Sequence, residues 1–162
     1  IITLFLFACQ ISWAQQTVFL IRHAEKIVTT DKDPALTEIG TARAQGLIDL
    51  FNNAKPNAIF TTQFQRTQLT AMPLSEAIEV PITVLEINSE NTDQYPTLLM
   101  DQICAKPKGS NVLVVGHSNT LPAIVEAWSH EPVKPIADDE HNRIFMVKVK
   151  DCKADGSLDL RY

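Results

Sequence analysis

Four short apolar runs punctuate the chain, at residues 17–21, Ala58–Thr61, 82–85 and 112–115, and each is rich in β-branched residues without polar alternation. Runs of that kind are strands buried on both faces, the pattern of a parallel sheet. The stretches between them are long enough for helices. Thr37 suits the N-cap of a helix over 38–53, on which Ile39, Ala42, Leu47, Leu50 and Phe51 approximate one face, although Gly40 and Gly46 are poor helix formers. Further helices are expected over 66–77, Tyr95–Cys104 and 120–128. Pro122 suits a first helical turn, whereas Pro73 should kink or interrupt its helix. Residues 143–149 read as an edge or antiparallel strand, and 158–161 can pair with it after a turn at Asp155 and Gly156. This alternation predicts an α/β fold, a three-layer sandwich whose mainly parallel central sheet carries helices on both faces.

No linker or internal repeat interrupts residues 15–162, which read as one domain. The 162 residues are 45% hydrophobic and 20% charged, which excludes a disordered tail or a polyelectrolyte. With 14 basic residues scattered among 19 acidic ones and a net charge of −5, the chain lacks the basic stripe of a general nucleic-acid binder. An anion bound here needs a local pocket. Residues 1–14 stand apart: they carry no charge, end in Ser12, Trp13 and Ala14, and are too short to span a bilayer, which takes about 20 residues. They are expected to be a signal peptide, making the protein exported, periplasmic or secreted, with no transmembrane span. A lipobox at Leu6, Phe7, Ala8 and Cys9, with a lipid anchor on Cys9, is the competing reading, and a buried N-terminal helix is the third. Beyond residue 14 the cysteines are Cys104 and Cys152, which an oxidising compartment would allow to pair.

The chemistry gathers at strand ends. The first run leads into Arg22, His23, Ala24, Glu25 and Lys26; the second is followed by Thr62 and Arg66; the fourth ends in Gly116, His117, Ser118 and Asn119. The carboxyl ends of parallel strands share one edge of an open sheet, where ligands bind. Two arginines and two histidines would meet there, a set suited to a tetrahedral dianion. Each guanidinium grips two oxygens, and each imidazole donates a hydrogen bond or attacks. A neutral histidine attacking phosphorus gives a phosphohistidine, which water then hydrolyses.

On these residues the chain resembles the histidine phosphatase superfamily, also called phosphoglycerate mutase-like, in its small bacterial phosphatase form. The resemblance rests on LIRHAEK from Leu20, LTEIG from Leu36, QRTQLTA around Arg66, VVGHSNT from Val114 and IADDEHNRIFMV from Ile136. It implies that His23 is the nucleophile and that Arg22, Arg66 and His117 complete the phosphate pocket. Two departures stand out. Ala24 replaces the glycine usual after the first histidine, and no residue clearly matches the carboxylate that protonates the leaving group in many members. Glu90 is the first candidate for that acid, followed by Asp93, Asp138 and Asp139. His130 and His141 read as ordinary residues, and Asp138, Asp139 and Glu140 as a solvated acidic turn.

The expected function is therefore phosphomonoester hydrolysis through a phosphohistidine, on a small-molecule or protein-borne phosphate, with no cofactor and no metal. A phosphate-binding member without turnover is the first alternative. A serine hydrolase using Ser118 is the second, but Thr120 occupies the fifth position of the elbow, where a small residue is needed. His23 and His117 show no local ligand spacing for a metal. Only residues 67–116 separate Arg66 from His117, and they must hold most of a helix, a strand and another helix, so no capping domain fits between them. That favours a phosphatase over a mutase, which must hold its phosphoenzyme away from water.

Overall fold

The computed structural model describes residues 15–162, so the signal-peptide and Cys9 lipobox expectations lie outside the described residues. The elements are β1 (Gln16–Arg22), α1 (Glu38–Leu50), β2 (Ala58–Thr61), α2 (Gln65–Ile78), β3 (Ile82–Val84), α3 (Tyr95–Cys104), β4 (Asn111–Gly116), α4 (Thr120–Ser129), β5 (Arg143–Lys150) and β6 (Lys153–Arg161). They form one sheet of order β3-β2-β4-β1-β5-β6. The first four strands are parallel, while β5 runs antiparallel to β1 and β6 antiparallel to β5.

Strand alternation divides the core into two layers. Val18, Leu20, Phe60, Val112 and Val114 point to one face, where α3 and α4 cover them with Leu99, Ile103, Leu121 and Ile124. Ile21, Ile59, Leu113 and Val115 point to the other, against Leu47 and Phe51 beside α1 and Ala71 and Leu74 of α2. This is the expected three-layer α/β sandwich. The third apolar run departs from expectation: β3 is an edge strand, half-buried at Ile82 and exposed at Thr83 and Val84. An edge strand has a neighbour on one side only.

Local signals explain the elements and two corrections. The Thr37 side chain caps α1 by accepting from the Gly40 amide at 3.0 Å. Gly40, unfavourable by propensity, is required by packing, because a Cβ there would collide with the Glu25 carbonyl. Helix α2 continues through Pro73 without interruption, since Thr67, Thr70, Ala71 and Leu74 are buried along one face on both sides of the proline. Tertiary packing outweighs a break that would cost about 3 kcal/mol in isolation. The β5–β6 turn falls at Asp151 and Cys152, not at Asp155 and Gly156; both turn residues have positive φ, 48° and 60°, as a two-residue hairpin of type I′ requires. Gly156, with φ 107°, instead sits where β6 holds an extra residue between Ala154 and Ser157.

Cys104, at the end of α3, is disulfide-bonded to Cys152 in that hairpin turn, with Cα atoms 5.6 Å apart. The bond closes 48 residues of chain. Reduction is expected to lower stability by about 2–4 kcal/mol, a fall of roughly 5–15 °C in Tm. Calorimetry with and without a reductant checks this, and an unchanged Tm would deny the bond a role in stability.

Candidate active site

Sheet register builds the site. Arg22 pairs with Gly116 across β1 and β4, and the next residues stay joined, the His23 amide donating to the Gly116 carbonyl at 2.9 Å. Thr61 is aligned with Val115, so Thr62 leaves the sheet beside His117. The His23 and His117 ring centroids lie 5.4 Å apart. Arg22, His23, Phe64, Arg66, His117 and Asp138 contribute to the wall of one cavity of about 450 Å³, joined at its rim by Lys26 and Asn88. The four residues expected to grip phosphate are thus brought together.

Each is held by short contacts. A carbonyl only accepts, so in the 2.7 Å contact with the Ala24 carbonyl His23 donates from Nδ1 and keeps the lone pair on Nε2. The peptide after it is fixed from behind, as the Ala24 amide donates to Thr70 Oγ1, whose hydroxyl donates to the Arg66 carbonyl. Arg22 Nη1 donates to the carbonyls of Ala137, Asp138 and Glu140 at 2.7, 2.9 and 3.1 Å. Arg66 lies over the Phe64 ring, 4.3 Å from its centroid, and 3.6 Å from Asp33. Among the described residues, the buried Nε–H of each arginine has no protein acceptor.

Burial dominates the electrostatics. It pushes His23 down to about 4, opposed by the Ala24 carbonyl bond and assisted by the charges of Arg22 and Arg66. His117 falls to about 3, by burial first and then by Arg66, His23 and Arg22. Both imidazoles are neutral at physiological pH. Burial also lowers Arg22 and Arg66, partly offset by nearby carboxylates.

The acid candidates separate by position. Asp138 lines the cavity, whereas Glu90, Asp93 and Asp139 do not. The acidic turn also does more than solvate, because the carbonyls of Asp138 and Glu140 hold Arg22. His141, read as ordinary, is buried with its ring 6.0 Å from that of His23, and its Nδ1 donates to the His23 carbonyl at 2.9 Å. Tyr162 in turn donates its hydroxyl to the His141 carbonyl at 3.1 Å. Ser118 lines the cavity, yet no imidazole makes a hydrogen bond to it among the described residues, which leaves a serine nucleophile without a base. The Asn119 side chain makes no cap; Thr120 Oγ1 accepts from the His117 amide instead.

An α/β sandwich with this constellation on its strand ends invites comparison with known proteins. Residues 18–90, a little under half of the chain, match the model of the histidine phosphatase superfamily (branch 1). Over those residues the chain is similar to this superfamily. No curated protein matches it. Among solved structures it is similar to a candidate α-ribazole-5′-P phosphatase from Escherichia coli K-12, with TM-score 0.73 and 14% identity over 91% of this chain and 96% of that one. It is also similar to the protein histidine phosphatase SixA complexed with tungstate, with TM-score 0.69 and 16% identity over 90% and 96% of the two chains. A mycobacterial glucosyl-3-phosphoglycerate phosphatase gives TM-score 0.67 and 12% identity over 82% and 91%. At these identities the likeness concerns the fold.

Proposed function

We propose that the protein is a phosphomonoesterase in which His23 Nε2 attacks phosphorus, giving a phosphohistidine that water hydrolyses. The match of residues 18–90 to the histidine phosphatase superfamily and the phosphatases among the structural neighbours support phosphatase activity. The observation that carries the finer reading is a neutral imidazole whose free lone pair shares one cavity with two guanidiniums, each keeping an Nε–H with no acceptor among the described residues. A phosphoryl group supplies those acceptors, and charge on its equatorial oxygens is stabilised by both arginines. Asp138 takes the role of leaving-group acid in this reading, supported by its position on the cavity wall, which Glu90 does not share. The polar rim, with Lys26 and Asn88, suits a small-molecule or protein-borne phosphate. The Cys104–Cys152 bond supports an exported location, because disulfides persist in oxidising compartments; mass spectrometry of the natural protein's N-terminus tests this, an uncleaved Ile1 opposing it.

Rapid acid-free quenching during turnover of a generic phosphomonoester tests the chemistry. A phosphoryl group stable to alkali, labile to acid and mapped to His23 is expected; turnover without one would reject the covalent route. The pH profile gives a separate check. His23 attacks only when neutral, so protonation removes activity, and a value near 4 places the acidic limb of kcat/KM there. After correction for substrate ionisation, kcat/KM should still be on its plateau at about pH 5.5 and fall about tenfold per unit below pH 4. An enzyme limb near pH 6.5 would mean that the attacking histidine is not the desolvated His23.

A further inference from the structure

The hydroxyl groups behind His117 form a relay with one consistent direction. Thr67 Oγ1 lies 2.8 Å from the Phe64 carbonyl and 3.1 Å from the Thr62 carbonyl, and carbonyls cannot donate, so the Thr67 hydrogen is committed to the backbone. The Thr62 hydroxyl, 3.0 Å from Thr67 Oγ1, must then donate to it. With its one hydrogen used, Thr62 meets His117 Nε2, also at 3.0 Å, only as an acceptor. His117 therefore carries its hydrogen on Nε2. Its Nδ1 has no protein partner among the described residues, so a lone pair remains there on a residue that lines the cavity. Thr67 is wholly buried, which keeps water from satisfying the relay in another way.

A phosphoryl dianion also presents only lone pairs. We propose that Thr67, acting through Thr62, makes the site admit a tetrahedral oxyanion together with one proton, so that Thr67 determines which protonation state of the phosphoryl group is bound. A dianion draws a proton from solvent onto His117 Nδ1, with no bond broken in the anion. A monoanion brings its own O–H, which donates to that nitrogen. The remaining route turns the Thr62 hydroxyl away from Thr67, sacrificing a buried hydrogen bond. The low affinity of His117 for protons means that this proton arrives with the anion. The other titratable groups lining the cavity are Arg22 and His23 at the end of β1, Arg66 at the start of α2, and Lys26 and Asp138 from the flanking loops. Phe64 packs edge-on against the His117 ring at 5.3 Å, and His141 stands behind His23. This inference rests on the reading of the cavity as a phosphoryl site.

Sulfate, a dianion between about pH 5 and 8, is the probe, measured by titration calorimetry on the full chain carrying His23→Ala, which removes the other imidazole of the cavity. The same protein is compared with His23→Ala/Thr67→Ser, which keeps the relay, and with His23→Ala/Thr67→Ala. The last variant frees the Thr62 hydroxyl to donate to Nε2, so a neutral His117 carries its hydrogen on Nδ1. The first two proteins should bind sulfate at least about tenfold more weakly at pH 8 than at pH 5. Their binding heat should vary with buffer ionisation enthalpy, reporting proton uptake. The Thr67→Ala protein should change by less than about threefold and bind sulfate more tightly at pH 8 than its parent. A damaged fold lowers affinity, so such a gain distinguishes the relay from a packing defect. Equal pH dependence in the serine and alanine variants, or no gain at pH 8, overturns the proposal. Sulfate binding with no such contrast, alongside wild-type phosphatase turnover, overturns the relay alone; no sulfate binding at any pH overturns the phosphoryl-site reading with it.

Discussion

His23→Ala is expected to lose turnover of a phosphomonoester by at least about 10⁴-fold, the scale seen when a nucleophile is deleted from a preorganised site. The acid-labile phosphoenzyme should vanish with it. The fold should persist, because among the described residues the only side-chain hydrogen bond of His23 goes to the adjacent Ala24 carbonyl, while its amide and carbonyl, which alanine retains, make the bonds to Gly116 and His141. Circular dichroism and quenched-flow trapping on the same preparation separate the two effects. If the variant still accumulates a stoichiometric phosphoryl group, the nucleophile lies elsewhere.

The second large effect is expected at Arg22. Its Nη1 is spent on three carbonyls, so the remaining edge of the guanidinium, whose Nε–H has no partner among the described residues, is the edge expected to meet phosphoryl oxygens. Lysine keeps the charge but offers neither the fork nor the tether. Arg22→Lys should therefore lower kcat/KM by about 10²–10³-fold and also loosen residues 137–140, seen as faster amide exchange there. Arg66→Lys should cost a comparable amount of activity without that local loosening, since Arg66 bonds no carbonyl of the segment. Wild-type kcat/KM in Arg22→Lys would remove Arg22 from the phosphate grip.

The apolar runs made the parallel strands legible, and with them the meeting of Arg22, His23, Arg66 and His117, because parallel strands all deliver their carboxyl ends to one edge. His141 was hidden by the same rule. It precedes β5, which is antiparallel to β1, and an antiparallel strand brings its amino end to that edge; the pairing of Ile21 with Ile144 carries His141 beside His23. Asp138 arrives by the same route, and its turn holds Arg22 through carbonyls, which every residue possesses and no composition reveals. The hydroxyls of Thr62, Thr67 and Thr70 were equally unreadable, since a buried threonine in a helix resembles ordinary packing until its acceptors are known. Pro73 and Gly40 misled in the same sense, each judged against its helix by propensity where tertiary contact decided.

Because main-chain oxygens secure Arg22, the side chain at 137 can be exchanged without touching that anchor, whereas the Glu140 carboxylate accepts from the Ala137 amide and pairs with Arg161, and so helps to hold the turn. A change in backbone course there, by insertion, deletion or proline, would release Arg22, so this wall of the cavity depends on the path of its main chain more than on the identity of residue 137.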